Sequence, residues 1–315
     1  MMHLRGLALA VLGIAPLAAC AATPAQPYLG RWDVTLQTPQ RAWSSWLEIR
    51  EEHGQPRVRM VGRWGHARWL PQAAIVDGHL RFVSPKEEEG SHSDMIFEGV
   101  RVGEQLQGTT TGQDGAAWTW RAVRAPALAA THEPRWGKPV SLFDGRDASA
   151  WKPLDAAAAK QWHVENGVLV SPGGGTDLRS LAAFGDFKLH LEFKCAPGAN
   201  SGVYLRGRYE LQIENDREPE APNMRTGGIY GYLAPAPAAP RTPDVWQRYD
   251  VTLVGRYVSV KLNGKTVIDR KEIPGITGGA LDSREAEAGP LVLQGSEDGQ
   301  VSYRNIVVTP ALTQP

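Results

Sequence analysis

The most chemically varied residues of this 315-residue chain lie between Asp186 and Glu214. Two strand-like runs in this stretch place polar residues at every second position, which is typical of a strand buried on one face. The polar residues concerned are His190, Glu192 and Lys194 in the first run and Asn200, Tyr204, Arg206, Glu210, Gln212 and Glu214 in or beside the second. Carboxylate, imidazole and amine groups are the side chains that exchange protons in catalysis. The pattern predicts one chemically active sheet face shared by both runs.

Other residues that could do chemistry are read as structural. Cys195 continues the apolar positions of the first run, which predicts a small core residue rather than a nucleophile. The run Gly173–Gly175 lacks the Gly-Lys-Ser/Thr end of a phosphate loop and no helix pattern follows it, so we interpret it as a turn. Four histidines have no metal-ligand spacing and are predicted on the surface: His53, His66, His79 and His92.

Brief β-like segments joined by tight turns fill the first part of the chain. The predicted strands are Trp32–Leu36, Trp46–Arg50, Arg57–Val61, Ala74–Val76, Leu80–Val83, Asp94–Val100, Gln105–Thr111 and Ala117–Val123. Asp77-Gly78 is a hairpin signal between two of them, and Lys86–Glu89 is predicted to be a solvated loop. This pattern predicts a small antiparallel β-barrel or sandwich over residues 28–123, which we interpret as an accessory or substrate-presenting domain.

A proline- and alanine-rich linker, residues 124–138, separates this unit from a second one at 139–312. The second unit carries two strong hairpin signals, Asn166-Gly167 and Asn263-Gly264, between apolar flanks. No convincing amphipathic helix appears in it, so antiparallel packing of two sheets is expected. The predicted fold class is all-β throughout.

Composition excludes some partners and indicates others. The 34 basic residues balance the 34 acidic ones and form no basic run, so neither nucleic acid nor an anionic membrane surface is expected as a partner. Eleven tryptophans suit a turn-rich β protein, in which some indoles stack on sugar rings and most fill the core.

The first twenty residues have the features of an export leader. Arg5 supplies the positive start, Leu7–Leu17 is apolar, and the stretch is too short to span a bilayer as a mature helix. Leu17-Ala18-Ala19-Cys20 resembles the lipobox of bacterial lipoproteins, in which the Cys is lipidated, whereas the alternative is ordinary cleavage nearby. The resemblance implies a periplasmic or cell-envelope protein tethered to the outer membrane only through the lipid on Cys20.

Several motifs of the second unit, in order, resemble the 3-keto-disaccharide hydrolase domain family, whose fold is the concanavalin A-like jelly roll. They are Leu142-Phe143-Asp144-Gly145, Trp162 with Val164–Leu169, Asn200–Gly207, Tyr209–Ile213, Gly228–Gly231, Trp246-Gln247 with Tyr249-Asp250, and Gly278–Asp282. The resemblance covers about Pro139 to Pro310. For the first unit we note only a Gly-x-Trp start, Gly30–Trp32, similar to that of lipocalin-like barrels.

The resemblance implies a sugar already oxidised to a 3-ketone, a 3-keto-glycoside, as substrate. The C2 proton then lies alpha to a carbonyl, so a side-chain base can remove it and the enolate can expel the C1 group. We assign Glu210 as this base, with Lys194 or His190 as substitutes, and Arg206 as the stabiliser of the enolate or ring oxygen. Sugar-binding roles fall to Asn200, Gln212, Glu192, Tyr204, Tyr230, Trp246 and, at the rim, Asp282. No cofactor is predicted. A divalent cation on the ketone stays open, although no two-histidine spacing indicates one.

Three alternatives remain. Arg206 and Glu210 could form a simple cross-strand ion pair on a solvated sheet. Glucanases of the same fold use a Glu-x-Asp-x-Glu strand, and Glu210 to Glu214 has that spacing with Gln212 at its centre, which leaves action on unoxidised sugar open. A carbohydrate-binding surface lipoprotein without catalysis is the third alternative.

Overall fold

The structure of the protein, a computed structural model, describes residues 25–112, 115–129, 133–155, 162–215, 221–238, 242–296 and 298–312. Strands dominate these ranges, and every paired set of strands is antiparallel. No helix in them is long and apolar enough to cross a membrane. The predicted leader and Cys20 lie outside the described residues.

The first nine strands form one antiparallel sheet, here called the N-terminal sheet. They are β1 (Gly30–Gln37), β2 (Ala42–Glu52), β3 (Gln55–Val61), β4 (Arg68–Trp69), β5 (Gln72–Val76), β6 (His79–Ser84), β7 (Met95–Val102), β8 (Gln105–Thr111) and β9 (Ala117–Arg124). The order β4-β3-β2-β1-β9-β8-β7-β6-β5 is an up-and-down path in which the first strand also pairs with the last. The sheet therefore curls around its own core, which includes Trp32, Leu47, Phe82, Phe97 and Trp120.

All eight strands predicted in this region are confirmed, although several extend further than predicted. The Asp77-Gly78 hairpin is confirmed too: Val76 pairs with His79, and both turn residues have positive φ (50° and 76°). β4 was missed because two residues are too few to show a period. The prediction of a loop at Lys86–Glu89 was wrong, because these residues form one helical turn, α1. Lys86, Glu87 and Glu88 are exposed as predicted, whereas the Glu89 carboxylate is buried against Arg68 and Ser84.

The rest of the chain forms two sheets packed face to face. The eight-stranded sheet contains β10 (Val140–Phe143), β12 (His163–Glu165), β13 (Val168–Ser171), β15 (Phe187–Cys195), β18 (Gln247–Val254), β19 (Tyr257–Leu262), β20 (Lys265–Glu272) and β22 (Val301–Pro310). The five-stranded sheet contains β11 (Trp151–Pro153), β14 (Leu178–Phe184), β21 (Gly289–Leu293), β16 (Asn200–Leu205) and β17 (Tyr209–Glu214), in the spatial order β11-β14-β21-β16-β17. Short 3-10 helices lie at Gln26–Tyr28 and Pro222–Met224. The predicted all-β jelly roll is confirmed.

The predicted hairpins of this sandwich are confirmed as well. Glu165 pairs with Val168 around Asn166-Gly167, and Leu262 pairs with Lys265 around Asn263-Gly264. Both asparagines have positive φ (51° and 52°), the conformation that makes Asn-Gly the preferred two-residue turn.

The core fills the space between the two sheets. Leu189, Leu191 and Phe193 of β15 and Tyr209, Leu211 and Ile213 of β17 all belong to one buried cluster. Cys195 lies in the same cluster, as predicted, and burial raises the pKa of its thiol to about 12, which keeps it neutral and unreactive.

The two polar runs at 186–214 do not share a sheet. β15 pairs with β18 and β22, whereas β16 pairs with β17 and β21, so residues 196–199 carry the chain from one sheet to the other. The prediction of one shared polar face was wrong. Period two defines the outer face of each strand but not the sheet to which that strand belongs.

The N-terminal sheet is docked on the sandwich through apolar side chains. Trp46, Val61 and Ala67 belong to the core cluster of the sandwich, not to that of their own sheet. The Trp46 indole packs so closely on Gly275 that a Cβ added to this glycine would lie 2.2 Å from the indole Nε1. The Tyr232 ring contacts the same indole edge-on, with 5.8 Å between the ring centroids. This contact sets the position of the N-terminal loops over the sandwich.

Candidate functional site

Five residues form a straight row across the five-stranded sheet. Lys152 pairs with Arg179, Arg179 with Val292, Val292 with Tyr204, and Tyr204 with Glu210. Residues directly opposite each other in antiparallel strands point to the same side. Since Tyr209 and Leu211 lie in the core, Glu210 and its row lie on the outer side of this sheet. We call this surface the Glu210 face; its polar residues are Lys152, Arg179, Asn200, Tyr204, Glu210, Gln212, Glu214 and Gln294.

Glycine at position 202 makes room for the Glu210 carboxylate. An added Cβ at Gly202 would lie only 2.6 Å from Glu210 Oε1 and 2.8 Å from its Cγ, so any larger residue would displace the acid. The backbone of Glu210 is held on its other side, where its N–H donates to Thr277 Oγ1 (3.0 Å) and its carbonyl accepts from the Tyr230 N–H (3.0 Å). The Glu210 side chain is almost wholly buried, and these contacts give its carboxylate a defined position.

The Tyr204 hydroxyl is the neighbour of this carboxylate. It lies in hydrogen-bonding contact with Glu210 and 3.0 Å from the Gly278 carbonyl oxygen. Burial, and then the charge of Glu210, raises the pKa of Tyr204 well above its ordinary value. The phenol consequently stays protonated and serves as a hydrogen-bond donor at neutral pH.

Two side-chain amides on the Glu210 face have buried oxygen atoms that accept no hydrogen bond from any described residue. They belong to Gln212, which is 2% exposed, and to Gln294. The Gln294 N–H donates to the Gly202 carbonyl, and Gly202 pairs with Gln212, so the amides flank the glycine beside Glu210. Gln212 Nε2 is oriented by Asn200 Oδ1 at 3.3 Å. Buried acceptors of this kind are suited to a ligand that carries hydroxyl donors.

Two segments border the face. The first, residues 226–233, runs along β17: Gln212 N–H donates to Gly228 O, and the Thr226 hydroxyl bridges the backbone N–H (2.9 Å) and carbonyl (2.7 Å) of Glu214. The second, residues 277–281, supplies Thr277 and Gly278. Asn200 is exposed and Tyr230 is half-buried, so the face is open to solvent at these positions.

The structure brings together part of the predicted site. Asn200, Tyr204, Glu210 and Gln212 share the Glu210 face, and Tyr230 lies at its border. Their catalytic and binding roles stay predictions, while their mutual proximity is a structural fact.

Four other predicted residues lie on the far side of the sandwich. His190, Glu192 and Lys194 point outward from β15, and Trp246 is stacked beneath Arg304 (4.0 Å) and near Lys194 (5.6 Å). The expectation that His190 or Lys194 could replace Glu210 as the base is therefore wrong, because the core separates them from it. The same separation removes Glu192 and Trp246 from the predicted sugar site.

His190 and Glu192 are each paired with residues of the neighbouring strands. His190 Nδ1 lies 2.7 Å from Asp250 Oδ1, and Glu192 accepts hydrogen bonds from Arg304 Nε (2.7 Å) and Asn305 Nδ2 (2.8 Å). A groove of about 490 Å³, lined in part by His190 and Asp250, follows this surface. We call it the His190 face.

Arg206 is also absent from the Glu210 face. β16 ends at Leu205, and Arg206 takes the left-handed conformation (φ 54°) in the turn, which breaks the alternation that predicted its side. Its guanidinium donates to the Gly255 carbonyl and lies 5.3 Å from the Tyr209 ring, on the core side of the sheet. The simple Arg206–Glu210 ion pair, one of the three alternatives, is excluded by the same geometry.

The predicted rim residue Asp282 is engaged elsewhere. It accepts from Arg208 Nε (2.8 Å) and from Arg284 (3.0 Å), at the junction with the N-terminal sheet. Burial alone would raise the pKa of Asp282, but these hydrogen bonds outweigh it and lower the pKa.

A buried charged cluster completes this junction. Arg256 binds Glu285 through two hydrogen bonds (2.6 and 3.1 Å), and Tyr209 donates to the same carboxylate (2.8 Å). Asp33 of β1 also contacts Glu285. Burial first, and then the negative charge of Glu285, raises the pKa of Asp33 to about 9. Asp33 is therefore a neutral acid at pH 7.

Sequence reasoning missed Arg179 and Gln294. Arg179 is half-buried in the row that contains Tyr204 and Glu210, and it forms no ion pair with a described residue. Neither Leu178–Leu181 nor Leu291–Gln294 alternates between apolar and polar residues, so no period-two signal marked Arg179 and Gln294 as outward-facing. The sequence does not show that β14 pairs with β21 and that β21 pairs with β16, which brings Arg179 and Gln294 to the same face as Tyr204. In the described ranges, no group of three or more His, Cys, Asp or Glu side chains is placed to hold a metal ion.

Comparison with known proteins agrees with this architecture. Residues 138–309 match the model of the family described as 3-keto-alpha-glucoside-1,2-lyase-like domain, which confirms the resemblance carried by the sequence motifs. No curated protein matches the chain.

Several solved structures are similar to part of this chain. A candidate glycosyl hydrolase from Parabacteroides distasonis is 29% identical, with a TM-score of 0.48, over 55% of this chain and 84% of the other. A second from the same organism is 21% identical (TM-score 0.46; 55% and 94%). The carbohydrate-binding module CBM66 from Bacillus subtilis is 13% identical (TM-score 0.36; 51% and 95%).

Proposed function

Because the chain belongs to the 3-keto-alpha-glucoside-1,2-lyase-like domain family, we propose that it cleaves 3-keto-glycosides. Membership supports a carbohydrate-active, glycosidase-like function in general. The 3-keto substrate and the reaction that follows are our proposal.

The proposed reaction has two steps. A base removes the proton from C2, the C2–H electron pair forms the enolate of the 3-ketone, and the enolate expels the C1 oxygen of the leaving group, which takes up a proton. Water then adds to C1 and a proton returns to C2, so the sum is hydrolysis. The route avoids the oxocarbenium-like state of ordinary glycosidases, because the ketone stabilises the developing charge.

The observation that carries this proposal is the buried carboxylate of Glu210 beside the two unpartnered amide oxygens of Gln212 and Gln294. In the proposal, Glu210 is the base, and the amides of Gln212, Gln294 and Asn200 bind sugar hydroxyls. A buried acceptor left without its donor is costly, which favours a hydroxyl-rich ligand at this position.

Two neighbours take the remaining roles. In the proposal, the single hydroxyl proton of Tyr204, which lies between the Gly278 carbonyl and Glu210, is donated to Glu210 or to the leaving oxygen. Arg179 occupies the Glu210 row three strands away, about 14 Å across the sheet, which is too far to reach the 3-oxygen of a ring whose C2 lies at Glu210, so we assign it to a second sugar ring. A substrate of two sugar rings would extend across that row. The chemistry needs no cofactor, and a divalent cation on the ketone stays open.

The test is incubation of the purified protein with a 3-keto-disaccharide and, separately, with its unoxidised parent. We expect release of 3-keto-glucose from the first and no product from the second. Release from the parent alone would support a glucanase, and release from neither would support a carbohydrate-binding module.

The glucanase has one observation in its favour. Glu210 and Glu214 lie on the same face of β17, as the catalytic carboxylates of such enzymes do. Their separation, about 13 Å at the backbone, is that of the Glu-x-Asp-x-Glu strand itself and does not distinguish the two functions. The argument against a glucanase is Gln212 between them, which lacks the charge that a central Asp would supply.

We further propose that the protein is exported and anchored by lipid on Cys20, with residues 28–123 as an accessory domain and 124–138 as a linker. Replacement Cys20→Ser is expected to move the protein from the membrane fraction to the periplasmic one, as measured by cell fractionation. Unchanged membrane association would contradict the lipid anchor.

A further inference from the structure

A loop of the N-terminal sheet borders the Glu210 face. The loop between β3 and β4 contains Arg63, Trp64, Gly65 and His66. Its Arg63 carbonyl accepts from the Gly279 N–H (3.0 Å), and an added Cβ at Gly278 would lie 2.3 Å from the Gly65 carbonyl oxygen. The loop therefore packs directly on residues 277–281, which border the face.

The same loop reaches the second bordering segment. An added Cβ at Gly231 would lie 2.6 Å from His66 Cβ, and Gly231 follows Tyr230, whose N–H donates to the Glu210 carbonyl. Both segments that border the Glu210 face are thus in contact with one loop of the other sheet. The Trp46 contact at Gly275 keeps this arrangement in place.

Trp64 of this loop lies close to the site. An added Cβ at Gly279 would lie 2.4 Å from the Tyr204 hydroxyl oxygen and 3.4 Å from Cζ3 of the Trp64 ring. The indole and the hydroxyl that contacts Glu210 are thus next to the same glycine. The indole is nevertheless 55% exposed, which is unusual for a tryptophan.

The Trp64 ring also packs against Arg63 and Trp43. Arg63 lies over both Trp64 (4.8 Å) and Trp43 (3.2 Å), and the two indoles are 6.3 Å apart. A cation packed between two aromatic rings restricts the orientation of each. Trp64 therefore presents a fixed apolar plane rather than a freely rotating side chain.

We infer that Trp64 is a stacking platform for a pyranose ring of the substrate bound over Tyr204 and Glu210, supplied to the site by the N-terminal sheet. This rests on the proposed function for the identity of the ring. The axial C–H groups of a hexose form a flat apolar patch that matches an indole face, while its hydroxyls reach Gln212 and Gln294. The N-terminal sheet then contributes directly to substrate binding.

The experiment measures binding apart from turnover. A 3-keto-disaccharide and its unoxidised parent are titrated calorimetrically into Glu210→Gln and into Glu210→Gln/Trp64→Ala. We expect Kd for the keto sugar to rise about tenfold or more when the indole is removed. The matched control is Trp69→Ala in the same background, because Trp69 is a partly exposed indole of the same sheet with contacts to Arg50, Arg57 and Arg59 instead. It is expected to leave Kd unchanged.

A kinetic measurement separates this inference from the function on which it rests. With Glu210 present, Trp64→Ala should raise KM and leave kcat within about threefold, since stacking holds substrate and transition state alike. If Trp64→Ala alters neither KM nor Kd while the wild type cleaves the keto sugar, the platform is wrong and the function stands. If the wild type cleaves nothing but Trp64 still determines Kd, the function is wrong and the platform stands.

Trp64→Leu, which keeps apolar bulk without the aromatic face, replaces Trp64→Ala in both measurements if the alanine variant folds poorly. If neither the wild type nor Glu210→Gln binds either sugar, the platform is overturned.

Discussion

Both outer faces of the sandwich carry a row of polar side chains that includes a glutamate, but the environments of these side chains differ. On the His190 face, His190, Glu192 and Lys194 alternate along β15, and the charged groups pair with Asp250 and Arg304 at a half-exposed surface. On the Glu210 face, Glu210 and Gln212 are almost wholly buried, and two amide oxygens lack partners among the described residues. Exposed ion pairs contribute little energy and need no ligand, whereas buried unpaired acceptors indicate one. Alternation of polar residues in a strand therefore does not locate a site. Burial of polar groups that lack hydrogen-bond partners does.

Removing one carboxylate from each face in turn should give the largest difference in activity between the two faces. We expect Glu210→Gln to reduce kcat/KM on a 3-keto-disaccharide by about 100- to 10,000-fold, the range for loss of a general base. Glu192→Gln, which removes an equally placed carboxylate on the other face, should leave activity intact. Full activity of the Glu210 variant would show that the base assignment is wrong, and loss of activity in the Glu192 variant would transfer the site to the opposite sheet.

The glycine opposite Glu210 provides the next largest effect. Gly202→Ala places a methyl group 2.6 Å from Glu210 Oε1, so the carboxylate must move. We expect an activity loss of about 10- to 100-fold together with destabilisation by about 1–3 kcal/mol from overpacking. Enzyme assays and thermal unfolding measure the two quantities.

Gly185→Ala is the matched control, because an added Cβ there meets no atom within 4 Å. It should change neither activity nor melting temperature appreciably. If Gly202→Ala behaves like this control, the Glu210 carboxylate does not need the position that the structure gives it.

The junction with the N-terminal sheet predicts a pH effect on stability. The pKa of Asp33 is about 9 in the folded chain, against about 3.9 for an ordinary aspartate. Between these values the folded state binds one proton more than the unfolded state, so the contribution of Asp33 to stability is complete below pH 4 and declines as the pH rises through 9.

Asp33→Asn removes this titration. We expect the melting temperature to fall less between pH 5 and pH 9.5 in the variant than in the wild type, with the variant more stable at the alkaline end by about 1–3 kcal/mol. Calorimetric unfolding across this range measures the difference. Parallel curves for the two proteins would mean that Asp33 is ionised in the folded state.

The smallest effect is expected from the exposed His190–Asp250 pair. His190→Gln should alter stability by less than about 1 kcal/mol, as for other surface ion pairs. Its kcat/KM should stay within about twofold of the wild-type value. A large loss of activity would instead indicate that the groove beside His190 holds the substrate.

Local features of the fold could be predicted from the sequence because they depend on local rules. Asp77-Gly78, Asn166-Gly167 and Asn263-Gly264 specify two-residue turns through their positive φ angles, and alternation locates the strands between them. β4 and α1 were not predicted, because their two and four residues are too few to show a periodic signal.

The candidate site could be predicted only in part, because it depends on which strands become neighbours. Asn200, Tyr204, Glu210 and Gln212 lie on one hairpin, so their grouping follows from local pairing. Arg179 and Gln294 reach the face through β14 and β21, and Trp64 through the docking of another sheet, which no local pattern encodes. Arg206 was misplaced for the opposite reason: one left-handed residue ended the alternation on which its prediction depended.

The central claim is that Glu210 removes the C2 proton of a 3-keto sugar, and position-specific isotope labelling tests it most directly. The protein is given a 3-keto-disaccharide in D2O, and the released 3-keto-glucose is analysed at once by mass spectrometry and NMR, with enzyme-free 3-keto-glucose in D2O as the exchange control. The account predicts deuterium at C2 above the control for the wild type and loss of that incorporation in Glu210→Gln. Product released at full rate with its original C2 hydrogen would contradict it.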